Sequence, residues 1–234
     1  MHERVRALLQ RCEHLPAQHT PEWYRARDGM ITASEVGSVL GTNPYTSRTQ
    51  LLRTKAGVGK PFTGNAATQW GTANEEQVRD RFCAENGEVC HETGCIPHAT
   101  IPFLGASPDG ILESGALLEI KCPLRREPVR GVENVPPYYV SQMQLQMEVC
   151  DLDLCYFVEW KPSHLMFGDD TFAVTLVERD PQWLERNLPC MQAFWDDVQR
   201  YRADPVLRES LRAPSRAPRA APGSAPGPQF RFLD

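Results

Sequence analysis

The order of apolar and polar positions divides the chain into a helical front, a run of short strands and a mixed rear. Residues 2–14 pattern as a helix, and Gln18 to Asp28 as a loop or short helix carrying Trp23 and two arginines. Thr32-Ala33-Ser34-Glu35 is a capping-box pattern, with Thr32 as N-cap and Glu35 at the third helical position, opening a helix to about Gly41. After the Asn43-Pro44-Tyr45 turn, helices are expected from Ser47 to Ala56 and from about Asn65 to Asn86, stopped by Gly57 and Gly87. Residues 88–97, 101–106, 111–113 and 117–122 are short, β-prone and punctuated by Gly and Pro, which predicts a meander. A loop spans Pro123 to Pro137, Tyr138 to Cys150 has helical periodicity, and 154–161 and 171–178 pattern as strands. Asp180-Pro181 predicts a helix start with Pro at the first position. Leu184, Leu188, Met191, Trp195 and Val198 form its apolar stripe, and Pro189 is expected to kink or interrupt it. From about Ala213 the Ala/Pro/Gly/Arg-rich tail predicts disorder. No internal repeat is visible. The pattern predicts one α/β or α+β domain over residues 1–212, with helices covering a central sheet.

Composition narrows the class. With 41% hydrophobic residues in 234, the chain can bury a sizeable core. No apolar run approaches membrane-spanning length, and the N-terminus lacks a signal-peptide core, so a cytoplasmic protein is expected. The eight cysteines show no Cys-x-x-Cys pair and read as reduced thiols, several of them in the core. A net charge of −5 argues against coating nucleic acid by bulk electrostatics, but leaves a local basic groove open. Arg125, Arg126 and Arg130 share one loop, either a phosphate-contacting cluster or a solvated one.

The chemistry concentrates in Ser107-Pro108-Asp109-Gly110 and Leu118-Glu119-Ile120-Lys121. The first reads as a turn, the second as part of a short buried strand ended by Pro123. Side chains alternate across a strand, so Glu119 and Lys121 share one face and Leu118 and Ile120 the other. A hairpin would bring Asp109 beside the pair. Two carboxylates and an ammonium make an oxygen-rich site for Mg²⁺ or Mn²⁺ next to a proton handler, the chemistry of phosphodiester hydrolysis. The plain alternative is a surface ion pair, which the apolar run around Glu119 disfavours.

Other positions can join this site. On its helix Glu75 shares a face with Val78 and Phe82, and Glu76 with Arg79, Asp80 and Cys83, so Glu75 points inward. An internal ion pair with an arginine would serve equally. Gln142 and Gln146 lie one turn apart, able to hold a water or phosphate oxygen, or simply to face solvent. The helix start at Thr32 to Glu35, with Ser34 and the upstream Arg25 and Arg27, suits a phosphate, although Glu35 is unfavourable there. The stretch Lys55 to Lys60 only imitates a P-loop, because Pro61 replaces the needed Ser or Thr.

Taken together, these segments resemble the phage lambda exonuclease/YqaJ family of viral recombination nucleases (alkaline exonucleases), within the PD-(D/E)xK superfamily. The matching pieces, in the family's order over about residues 20–160, are Trp23 to Arg27, Ile31 to Val36, Trp70-Gly71 to Glu75, Ala106 to Gly110, Leu118 to Pro123 and Tyr139 to Gln144. The resemblance implies a restriction-endonuclease-like fold, a central mixed β-sheet flanked by helices. It implies that Asp109, Glu119 and the Ile120 carbonyl bind metal, two Mg²⁺ ions or Mn²⁺ in their place, and that Glu75 helps, directly or through water. Lys121 matches a lysine that orients or activates water. Gln142 matches an active-site glutamine, with Gln144 as a rival. Arg27 and Ser34 match a 5′-phosphate pocket that Ser107 can join. The implied activity is 5′→3′ digestion of one strand of linear double-stranded DNA to 5′-mononucleotides, leaving 3′ overhangs. The implied partners are a homotrimeric ring threaded by DNA and a single-strand annealing recombinase.

The loop 123–137 and the tail past residue 212 fall outside the resemblance. Competing readings are an endonuclease or RNA-degrading enzyme on the same core, and a non-catalytic DNA-end-binding scaffold, which the intact Asp109, Glu119 and Lys121 disfavour. An iron–sulfur nuclease is disfavoured by the cysteine spacing.

Overall fold

The computed structural model describes residues 1–59, 64–163 and 169–212, so the expected disordered tail lies outside the described residues. Helices α1 (Glu3–Cys12) and α2 (Pro21–Asp28) precede a two-residue strand, β1 (Ile31–Thr32). Then come α3 (Ala33–Val39), α4 (Arg48–Lys55) and α5 (Ala66–Asn86). Short strands follow: β2 (Cys90–His91), β3 (Ile96–Pro97), β4 (Leu104–Ala106), β5 (Gly110–Leu112) and β6 (Ala116–Lys121). A 3-10 turn at Val132–Asn134 leads into α6 (Pro137–Cys150), β7 (Leu154–Lys161), β8 (Thr171–Glu178), α7 (Trp183–Ala203) and α8 (Pro205–Ser210).

The expected meander splits into two sheets. β2-β5-β6-β7-β8 forms a mixed five-stranded sheet in which only β6 and β7 run parallel. β3 and β4 turn away to join β1 in a three-stranded sheet. Strand β1 had no sequence signal: two residues carry no period, and only the parallel pairing of Ile31 with Leu104 makes them a strand.

Caps and turns set the helix ends. The Thr32–Glu35 capping box forms as expected, and Ser47 and Asn65 cap α4 and α5. Gly87 ends α5 at φ 66°, a conformation that only glycine adopts freely. α7 starts at Trp183, two residues later than Pro181 suggests, because Asp180 accepts from Gln182 N and holds a turn there. Pro189 does not interrupt α7, whose buried Met191, Phe194, Trp195 and Val198 keep it seated on the core.

The parallel pair β6 and β7 needs a crossover, and α6 supplies it. One face of the sheet packs Leu118, Ile120 and Val158 against Val78 and Phe82 of α5. The other packs Leu117 and Phe157 with Met143, Leu145 and Met147 of α6. Full burial of each such large side chain contributes roughly 1.5–3 kcal/mol. α6 is therefore covered on nearly every side, and Ser141 to Met147 are all buried. This corrects the amphipathic alternative: Gln142, Gln144 and Gln146 are inside and must find partners there.

Candidate active site

Glu119 lies at the centre, fully buried on β6 opposite Phe157 of β7. Gln142 Nε2 donates to its Oε1 and Gln146 Nε2 to its Oε2, each at 2.6 Å. Lys121, on the same face of the strand, donates to Oε1 as well. A buried carboxylate is costly without such partners. Asp109 is bound across β6 on both sides of Glu119: its N–H donates to the Leu118 carbonyl (3.1 Å), and its Oδ2 accepts from Ile120 N (2.7 Å). The hairpin of β5 on β6 thus places Asp109 as its spacing implies.

Glu75 enters from α5 beside Asp109, Glu119 and Lys121, while Glu76 is exposed. Its expected arginine alternative is not realised, since Arg79 pairs with Glu92 and donates to the Asp109 carbonyl. Burial, then Glu119 and Glu75, push the Asp109 carboxyl well above its usual range. Burial also raises Glu75, against the pull of Lys121. Burial alone would lower the Lys121 ammonium, but Glu119 and Asp109 outweigh it and hold it raised. Its Nζ stands 5.2 Å from the centre of the Tyr139 ring.

Three carboxylates thus face one ammonium. The donor set is all oxygen and carries excess negative charge, which fits a hard divalent cation in kind and sign. Among the described residues no three His, Cys, Asp or Glu side chains already form a metal-ligand group, and both Glu119 oxygens and Asp109 Oδ2 are engaged in the bonds above. Ligation would exchange some of those bonds.

A second cluster gathers the other candidates. Arg27 lies over the Trp23 ring, its Cζ 4.3 Å from the centroid. Its Nη2 donates to Ser34 Oγ (2.9 Å) and Thr32 Oγ1 (3.3 Å). Trp23 Nε1 donates to Ser107 Oγ (3.1 Å). So Arg27, Ser34 and Ser107 meet around one indole, and Pro108 links Ser107 to Asp109 in sequence. Glu35, the unfavourable neighbour, is paired with Lys55 (2.9 Å).

The structure removes other candidates. Gln144 donates to the Glu178 carbonyl and accepts from Asp180 N, so it anchors β8 and does not reach Glu119. The arginine loop is not one free cluster. Arg126 pairs with the fully buried Glu159, and Arg130 donates to the Phe172 carbonyl (2.6 Å), leaving Arg125 exposed. The sequence reading gave no role to Lys55 or Tyr139, and weighed Gln146 beside Gln142 without assigning it a role at Glu119. Gln146 had a signal, being one turn from Gln142; Lys55 had none.

The sequence matches the YqaJ-like viral recombinase domain family over residues 22–153. The chain belongs to this family. The matched span of the YqaJ-like domain holds every residue of both clusters. The fold is similar to that of the alkaline exonuclease LHK-Exo from Laribacter hongkongensis, at 30% identity and TM-score 0.65, covering 82% of this chain and 98% of that one. The same exonuclease in complex with dAMP gives a TM-score of 0.66. An uncharacterised protein of Acanthamoeba polyphaga mimivirus is 31% identical over 160 residues, 62% of this chain and 29% of that protein. An African swine fever virus protein is 30% identical over 161 residues, 55% of this chain and 45% of that protein. The chain thus matches less than half the length of these curated viral relatives. Among the described residues no helix is long and apolar enough to cross a membrane.

Proposed function

We propose that this YqaJ-like domain is a Mg²⁺-dependent nuclease that digests one strand of linear duplex DNA in the 5′→3′ direction, in the host cytoplasm. The observation that carries the reading is Glu119: a fully buried carboxylate held by Lys121, Gln142 and Gln146, with Asp109 and Glu75 beside it. A purely structural ion pair does not need three carboxylates around one lysine. The similarity to an alkaline exonuclease over nearly its whole length supports the same reading.

Asp109, Glu119, the Ile120 carbonyl and Glu75 would hold the cations, two Mg²⁺ or Mn²⁺. Bound there, such ions supply Lewis-acid polarisation of the phosphate. The protein's own groups do the rest. Lys121 and Gln142 orient the attacking water, and Lys121 offsets charge on the phosphate. Water adds to phosphorus, the bond from phosphorus to the 3′ oxygen breaks, and that oxygen takes up a proton. The product is a 5′-mononucleotide, and the shortened strand begins again with a 5′-phosphate. Arg27, Ser34 and Ser107 would receive that end and place the next phosphodiester over the carboxylates. Each turnover thereby regenerates the group the pocket recognises. The 3′ single strand left behind would pass to an annealing recombinase, and a homotrimeric ring would keep the enzyme on its DNA.

The test is digestion of end-labelled linear duplex DNA with Mg²⁺ and with EDTA, beside closed circular DNA and RNA. Metal-dependent release of 5′-mononucleotides from the linear duplex is expected, with at least about 10²-fold loss in Asp109→Ala, Glu119→Ala or Lys121→Ala. Near-normal turnover in folded Glu119→Ala protein overturns the assignment, and cutting of closed circles shifts it to an endonuclease.

A further inference from the structure

Tyr45 lies outside both clusters and is 76% exposed, more open than any other Phe, Tyr or Trp among the described residues. A single exposed tyrosine is ordinary, but this one is held in place. Asn43 Oδ1 accepts from Tyr45 N (2.9 Å) and Thr46 N (3.4 Å), and Asn43 Nδ2 donates to Ser38 Oγ on α3 (3.0 Å). The backbone of Thr42 and Asn43 donates to the Gly37 carbonyl at 2.8 and 3.1 Å. The turn that presents the ring is therefore fastened to a helix.

The ring also begins a line of aromatics that leads inward. Tyr45 meets Tyr138 edge-on at 5.9 Å, Tyr138 lies 4.2 Å from Tyr139, and Tyr139 carries Lys121 Nζ. A Cβ at Gly37 would come within 2.8 Å of Tyr138 Cβ, so the close approach of α3 to α6 that joins Tyr138 to the Tyr45 turn depends on glycine. The exposed ring is thus linked by successive ring contacts to the lysine beside Glu119.

We propose that Tyr45 is a stacking platform for an unpaired base of the strand held at Glu119 and Lys121, an inference that rests on the nuclease reading. A fixed aromatic face in water gains by covering itself with another flat ring, and every nucleobase offers one whatever its identity. A base inside a duplex has its faces covered by its neighbours, so the occupant is unpaired. The surface is not a phosphate site, because the two cations over Tyr139 are both committed, Lys121 to Glu119 and Arg126 to Glu159.

The experiment measures binding of fluorescent duplexes with a short 5′-phosphorylated single-stranded end, in Ca²⁺ without Mg²⁺, to wild type, Tyr45→Ala and Tyr45→Trp. A series of substrates carries one abasic site at successive positions. Tyr45→Ala is expected to weaken binding about tenfold while Tyr45→Trp retains it. One abasic position should weaken wild type to the same extent and add nothing to the Tyr45→Ala loss. Unchanged affinity of Tyr45→Ala overturns the platform, as does a loss that stays additive with every abasic site. A wild type that binds none of these duplexes overturns the nuclease reading and the platform with it, so the two failures are distinguishable.

Discussion

Lys55 and Glu35 form an ion pair beneath the Arg27 pocket, Lys55 Nζ lying 2.9 Å from Glu35 Oε2. Lys55 is almost wholly buried and also donates to the carbonyls of Arg27 (2.8 Å) and Met30 (2.7 Å). Glu35 Oε2 in turn accepts from Thr32 N and Thr32 Oγ1, both at 2.9 Å. Glu35 is therefore neutralised from below, and the backbone that carries Arg27 is held by the same ammonium.

Lys55→Met should destabilise the fold by about 2–4 kcal/mol, since it leaves two carbonyls and a partly buried carboxylate without their donor. Urea unfolding checks this. The surviving folded protein should discriminate poorly between 5′-phosphate and 5′-hydroxyl ends. Wild-type stability in the variant would mean that water replaces the ammonium.

Arg27 is expected to mediate the phosphate preference directly. A 5′-hydroxyl end offers neither the charge nor the acceptor oxygens that a guanidinium binds. In a two-by-two rate comparison, wild type should digest phosphorylated ends faster, and Arg27→Ala should largely erase the difference. Full preference in Arg27→Ala would place the pocket elsewhere.

Glu75→Gln should cripple turnover and Glu76→Gln should be mild. Glu75 stands beside Asp109, Glu119 and Lys121, whereas Glu76 faces water, and exposed substitutions usually stay within about 0.5 kcal/mol. Equal sensitivity in matched steady-state assays would contradict the placement of α5.

The three glutamines of α6 should separate cleanly. Gln142→Ala and Gln146→Ala each remove a donor from buried Glu119 and should slow turnover by about tenfold or more. Gln144→Ala should lower thermal stability by about 1–2 kcal/mol and spare kcat, because its bonds run to Glu178 and Asp180. A kcat defect in Gln144→Ala as deep as that in Gln142→Ala would undo this division.

Much of the site was readable before any coordinates, because it rests on local periods. The alternation of β6 places Glu119 and Lys121 on one face, the 3.6-residue repeat turns Glu75 inward and Glu76 outward, and the turn at Pro108-Asp109-Gly110 sends Asp109 back across the strand. The capping box at Thr32 to Glu35 is equally local. Where periods failed, the cause was what covers a surface. Gln142 and Gln144 are two residues apart and read as equivalent rivals, yet one bonds Glu119 and the other the far strand.

The sequence by itself determined which side chains share a face, where most helices begin and end, and that two carboxylates and a lysine would stand together. Only the tertiary structure decided that α6 is buried all round, since that follows from its crossover between parallel strands and its burial beneath α3 and α7. It alone assigned Gln146 to Glu119, Arg126 to Glu159 and Lys55 to the back of the Arg27 pocket. Those partners lie 27, 33 and 28 residues apart in the chain. Local periodicity orients a side chain toward the interior but carries no information about which distant segment will meet it there.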